Sequence, residues 1–76
     1  MKFDQAMTDE LNILLQYDLS SSQQGIKIHH EAEPSMIAAA KRLNEKGFID
    51  QADGGYLTAL GRTAAEHVRA CFDLLH

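Results

Sequence analysis

The chain has 76 residues, 45% of them hydrophobic, a single cysteine and a formal net charge of −4. That length suits one domain, allows no intrachain disulfide, and buries only roughly 60% of the unfolded surface, so a partner or a second copy is expected to add stability. No apolar run approaches the about 20 residues of a bilayer span, and residues such as Lys2 and Asp4 leave the N-terminus without the apolar core of a signal peptide. A reduced, cytoplasmic setting is expected, and the acidic balance counts against simple nucleic-acid binding.

The pattern predicts a first helix over about 8–17, with Thr8 as N-cap and Asp9 and Glu10 on the positive end of its dipole. Met7, Leu11, Leu14 and Leu15 form one apolar stripe at helical spacing, and Ala6, Ile13 and Tyr17 a second on nearly the opposite side. A helix apolar on two faces is packed on both. Residues 19–33 pull two ways. Ser20, Ser21 and Ser22 could cap a short helix over about 20–30, whereas Gly25 and the alternating Ile26 and Ile28 suit a short strand. The helix is the preferred expectation.

A recognition-type helix is predicted over about 34–46, with Pro34 at its first position and Gly47 at its C-terminal cap. Met36, Ile37, Ala40, Leu43 and Asn44 fall on its inner side. Ser35, Ala38, Lys41, Arg42, Glu45 and Lys46 fall on the other. A hairpin over about 48–57 follows, turning at Asp53-Gly54, where a type I′ turn needs positive φ at both central residues. Thr58 then caps a final helix over about 58–75. Its main apolar stripe is Leu60, Ala64, Val68, Cys71 and Leu75, widened by Ala65 and Phe72. On its outside Arg62, Glu66, Arg69 and Asp73 alternate in sign, as on a solvated face.

The run Arg42-Leu43-Asn44-Glu45-Lys46-Gly47-Phe48-Ile49, then Asp53-Gly54-Gly55-Tyr56-Leu57-Thr58 and Gly61-Arg62, resembles bacterial winged-helix regulators of the MarR- and PadR-like families. There a basic recognition helix ends in a similar phrase, a wing follows, and a capped helix closes the unit. The whole chain also looks like a small group of uncharacterised proteobacterial proteins of this length. The fold expected is mainly α with a small β-hairpin, a winged helix-turn-helix spanning residues 1–76. The match covers about Pro34 to Arg62. The wing departs from the pattern: it carries Asp50 and Asp53 and no basic residue.

The resemblance implies a dimeric regulator that binds duplex DNA, with a protein-binding module of the same fold as the alternative. Charge divides the chain. Residues 1–25 net −3 (Lys2 against Asp4, Asp9, Glu10 and Asp18) and residues 47–76 net −2 (Arg62 and Arg69 against Asp50, Asp53, Glu66 and Asp73). Residues 26–46 net +1 (Lys27, Lys41, Arg42 and Lys46 against Glu31, Glu33 and Glu45). The candidate DNA contacts are therefore Ser35, Ala38, Lys41, Arg42 and Lys46, with Lys27 on a phosphate. Ala6, Ile13, Tyr17, Ala65 and Phe72 are the candidate dimer surface, because a three-helix core leaves them without an assigned neighbour. His29 and His30 are adjacent and should diverge, and His67 with Cys71 gives only two ligands, so no metal is expected. No cofactor motif, nucleophile elbow or paired carboxylates point to an enzyme.

Overall fold

The computed structural model describes residues 1–21 and 23–76. Helix α1 spans Gln5–Leu14 and begins earlier than expected. The cap is Asp4, whose carboxylate accepts from the Met7 N–H at 2.8 Å, while the Thr8 hydroxyl donates to the Asp4 carbonyl from inside the first turn. Asp is as good a cap as Thr, and it stands one turn upstream.

The expected short helix over 20–30 is replaced by strand β1, Ile26–Lys27. Ser20 and Ser21 close a turn on Asp18 instead of opening a helix: the Ser20 N–H and hydroxyl donate to the Asp18 carboxylate, and the Ser21 N–H to its carbonyl. The predicted role of Ser22 lies outside the described residues. The strand wins because its β-branched residues find a partner edge. β1 pairs antiparallel with β3, Gly54–Leu57, in the register Ile26↔Gly55 and Lys27↔Gly54. Gly25 and Gly54 permit the approach, since a Cβ on Gly25 would lie 2.6 Å from the Gly55 carbonyl oxygen and one on Gly54 2.5 Å from that of Ile26. Between β1 and the next helix lies a single turn, closed from the Ala32 N–H to the His29 carbonyl.

Helix α2 spans Pro34–Glu45 with Pro34 in its first turn. Gly47, at φ 85°, ends it in a Schellman arrangement: the Phe48 N–H reaches the Leu43 carbonyl and the Gly47 N–H the Asn44 carbonyl. Strand β2, Ile49–Gln51, pairs antiparallel with β3, and the sheet order is β1-β3-β2. The turn sits one residue earlier than expected. Gln51 pairs with Gly54, so Ala52 and Asp53 are the central residues, and the positive φ angles fall on Gly54 (125°) and Gly55 (72°), not on Asp53. Helix α3, Ala59–Leu75, starts at Thr58, whose hydroxyl accepts from the Gly61 N–H at 3.0 Å.

Among the described residues the architecture is three helices and a small three-stranded antiparallel sheet. Its radius of gyration, 11.7 Å, is near the roughly 11 Å expected of a compact chain of this length. The core is built from Ile13, Leu14 and Tyr17 after and within α1, Ile28, then Ala39, Ala40 and Leu43 of α2, with Ile49 and Ala65. Ala39 and Ala40 keep side-chain bulk low where α2 meets its neighbours, so helices approach closely. Among the described residues no helix is long and apolar enough to cross a membrane.

Candidate functional site

The face of α2 expected to meet DNA is not free. Ala39 is fully buried, and Arg42 and Lys46 follow it at i+3 and i+7, so this row runs along the edge of α2 that faces α1. There the Glu10 carboxylate spans both cations, accepting from Arg42 Nε at 2.8 Å and from Lys46 Nζ at 2.6 Å. Arg42 also donates through Nη2 to the Ala6 carbonyl at 3.2 Å. Burial pushes the Glu10 carboxyl pKa up, but hydrogen bonds and charges of Lys46 and Arg42 outweigh it and hold the group below its ordinary 4.5. Arg42 and Lys46 thus serve as counter-ions to Glu10, Arg42 half-buried against α1 and Lys46 still exposed on the outward side.

Of the other expected contacts, Ser35, Ala38 and Lys41 are exposed. The outer row Ala38, Lys41 and Glu45 carries one positive and one negative side chain, so its net charge is zero. Lys27 is exposed and pairs with Asp53 at 3.6 Å. Asp50 likewise works within the hairpin, its carboxylate accepting from the Tyr56 N–H at 2.9 Å. The hairpin acids Asp50 and Asp53 therefore serve the hairpin itself.

The expected dimer surface is also redistributed. Ile13, Tyr17 and Ala65 are 0%, 3% and 1% exposed and belong to the chain's own core, so they are not surface for a second subunit. Ala6 is exposed, and Phe72 is partly so. The two stripes of α1 are split: Leu14 of the first and Ile13 and Tyr17 of the second are buried, whereas Ala6 is exposed. The buried residues of α1 are Asp9, Glu10, Ile13 and Leu14, and Tyr17 joins the core from the turn after the helix. Leu11 and Leu15, from the stripe expected to face the core, line an open cleft between α1 and the outer half of α3.

That cleft has a volume of about 540 Å³. Phe3, Leu11 and Leu15 form one wall, and Val68, Cys71, Phe72 and Leu75 the other; Thr8, Asn12, His67 and His76 complete it. No Asp, Glu, Lys or Arg lines it. Beyond Ala65 no residue of α3 is buried, so its last turns project past the core. Phe3, Leu74 and Leu75 at this edge are 73%, 87% and 83% exposed. Arg69 anchors α3 to α1 below the cleft, donating to the Leu15 carbonyl at 2.8 Å. Sequence reasoning missed Phe3 and Leu74 and counted Leu75 on the main apolar stripe, where it is 83% exposed; the signal was an apolar helix end with no counterpart to cover it.

The turn after β1 brings His29 and His30 together, their rings stacked with centroids 4.3 Å apart, where divergence was expected. With Glu31 they offer three ligand atoms within 4.8 Å of one another, all exposed. Local bonds account for the cluster: His29 Nδ1 accepts from the Glu31 N–H, and His30 Nε2 lies 3.6 Å from the Glu31 carboxylate.

No curated protein and no solved structure matches the chain. One family model covers it from end to end, over residues 1–76, and the chain belongs to that family, a family of unknown function designated DUF5669.

Proposed function

We propose that this chain is a winged-helix-like protein-binding module whose contact surface is the apolar cleft between α1 and α3. The winged-helix reading is supported by the element order α1–β1–α2–β2–β3–α3, by the sheet order β1-β3-β2, and by a hairpin between α2 and α3. It departs from a helix-turn-helix in having one turn where a helix would precede α2. The observation that carries the binding reading is the cleft itself, uncharged along its whole lining and edged by exposed Phe3, Leu74 and Leu75. Contiguous apolar surface rimmed by polar groups is how a protein contact site is built. Against the DNA reading stand the net charge of −4 and the Glu10 clamp, which occupies the two strongest phosphate contacts.

The test compares two labelled probes by fluorescence anisotropy, with the chain at sub-micromolar concentration: a leucine-rich amphipathic helical peptide and a duplex DNA. The peptide binds, Leu75→Glu abolishes that binding, and the duplex gives no signal even at low salt. Salt-dependent binding of the duplex without binding of the peptide would overturn the proposal.

A further inference from the structure

We propose that His29, His30 and Glu31 form a zinc site, with two imidazole nitrogens and one carboxylate oxygen as protein ligands and the fourth position left to water. The proposal does not depend on the cleft, none of whose lining residues belongs to this turn.

Geometry carries it. Adjacent side chains diverge on a helix or a strand, so two consecutive histidines there do not face one ion. Here they stand in a turn, closed from the Ala32 N–H to the His29 carbonyl at 2.9 Å, and their rings lie side by side at 4.3 Å between centroids. Glu31 joins them, and the three donor atoms lie within 4.8 Å of one another. Zinc binds imidazole nitrogen and carboxylate oxygen at about 2.0–2.2 Å, so two donors on one tetrahedral ion stand about 3.4 Å apart. His30 Nε2 and the Glu31 carboxylate are already at 3.6 Å. Closing the His29 donor onto them takes a rotation of exposed side chains and no backbone change. His29 Nδ1 accepts from the Glu31 N–H at 3.2 Å, a long bond at an exposed turn that water can replace.

The turn is also held at both ends. Ile28, just before it, is buried and donates to the Asp53 carbonyl at 2.7 Å. Just after it, the Glu33 carbonyl accepts from the Met36 and Ile37 N–H groups at 2.9 and 3.1 Å as α2 begins. The backbone of the ligand set is therefore ordered by the fold before an ion arrives, which removes much of the cost of binding.

Charge favours a cation here. Residues 28–40 contain Glu31 and Glu33 and no Lys or Arg. Lys27, the nearest in sequence, pairs with Asp53. Among the described residues Glu31 makes its one salt bridge to His30, so no lysine or arginine competes for its carboxylate. The donor types select the metal. Calcium and magnesium take sets of oxygen ligands, whereas two imidazoles with one carboxylate suit zinc.

The experiment is calorimetric titration of the full chain with zinc chloride, paralleled by ¹H–¹⁵N spectra of the imidazole side chains. One zinc binds per chain and saturates at micromolar concentration. The His29 and His30 signals shift, while those of His67 and His76 stay in place. Zinc also raises the melting temperature, because an ion held by the folded turn stabilises it by mass action. His29→Ala, His30→Ala and Glu31→Gln each weaken binding about tenfold or more, since even a group that only supports a metal ligand acts on that scale. All three positions are exposed, so circular dichroism of the variants should match wild type. Saturation only at millimolar zinc overturns the proposal. So does binding that survives His30→Ala, is displaced by an equal concentration of calcium chloride, or shifts His67 in place of His29 and His30.

Discussion

Removing the Glu10 carboxylate leaves Arg42 against α1 without its counter-charge, since the side chain of Glu10 is only 11% exposed and that of Arg42 33%. Glu10→Gln should lower stability by about 1–3 kcal/mol, the range for charge-assisted hydrogen bonds at a partly buried site. Urea midpoints at neutral pH check this. The Glu10 carboxyl is held below 4.5 in the fold, so its contribution is complete above that pH and is lost as pH falls through the lower folded value. The gap between wild type and Glu10→Gln should accordingly narrow below pH 4.5. Tyr17 titrates in the opposite sense. Burial, and then the charge of Asp50, pushes its phenol up to about 12 from 10.0, so the group leaves stability unchanged below about pH 10 and the fold loses stability as pH rises from there toward 12. Its hydroxyl is buried with no hydrogen-bond partner among the described residues. Tyr17→Phe should therefore be neutral or stabilising by about 1 kcal/mol, and should flatten the alkaline limb of a stability profile.

At the scale of elements, what could be read from sequence was what is settled locally. Pro34, Gly47 and Thr58 each act within one turn of themselves, and α2, the hairpin and α3 lie close to where those signals placed them. Gly61 extends the same logic: a Cβ there would overlap the Phe48 carbonyl, a backbone group that cannot swing aside. Gly61→Ala should cost about 3 kcal/mol, measured by thermal or urea unfolding. β1 was legible only as the less favoured alternative, because the strand exists only through β3, which lies far along the chain. The faces of α1 and α2 were misread for one shared reason. The true core stripe of α1 contains a charge, Glu10, and a stripe count treats that position as solvent. Its cations, Arg42 in α2 and Lys46 at the α2 cap, lie far along the chain, so neither segment alone reveals their pairing with Glu10.

For the whole molecule, these pairings move the centre of interest from the α2 face to the opposite edge. The hairpin acids serve the turn, the α2 cations serve Glu10, and the large apolar surface left over lies between α1 and α3. A domain this small gains stability from covering such an edge. The most direct measurement is a map of backbone amide shifts in the ¹⁵N-labelled chain on addition of the leucine-rich amphipathic helical peptide, at concentrations where the chain is monomeric. The account predicts shifts confined to residues 3–15 and 67–76, with residues 35–46 unmoved. Shifts centred on residues 35–46 and the hairpin, or none anywhere, would contradict it.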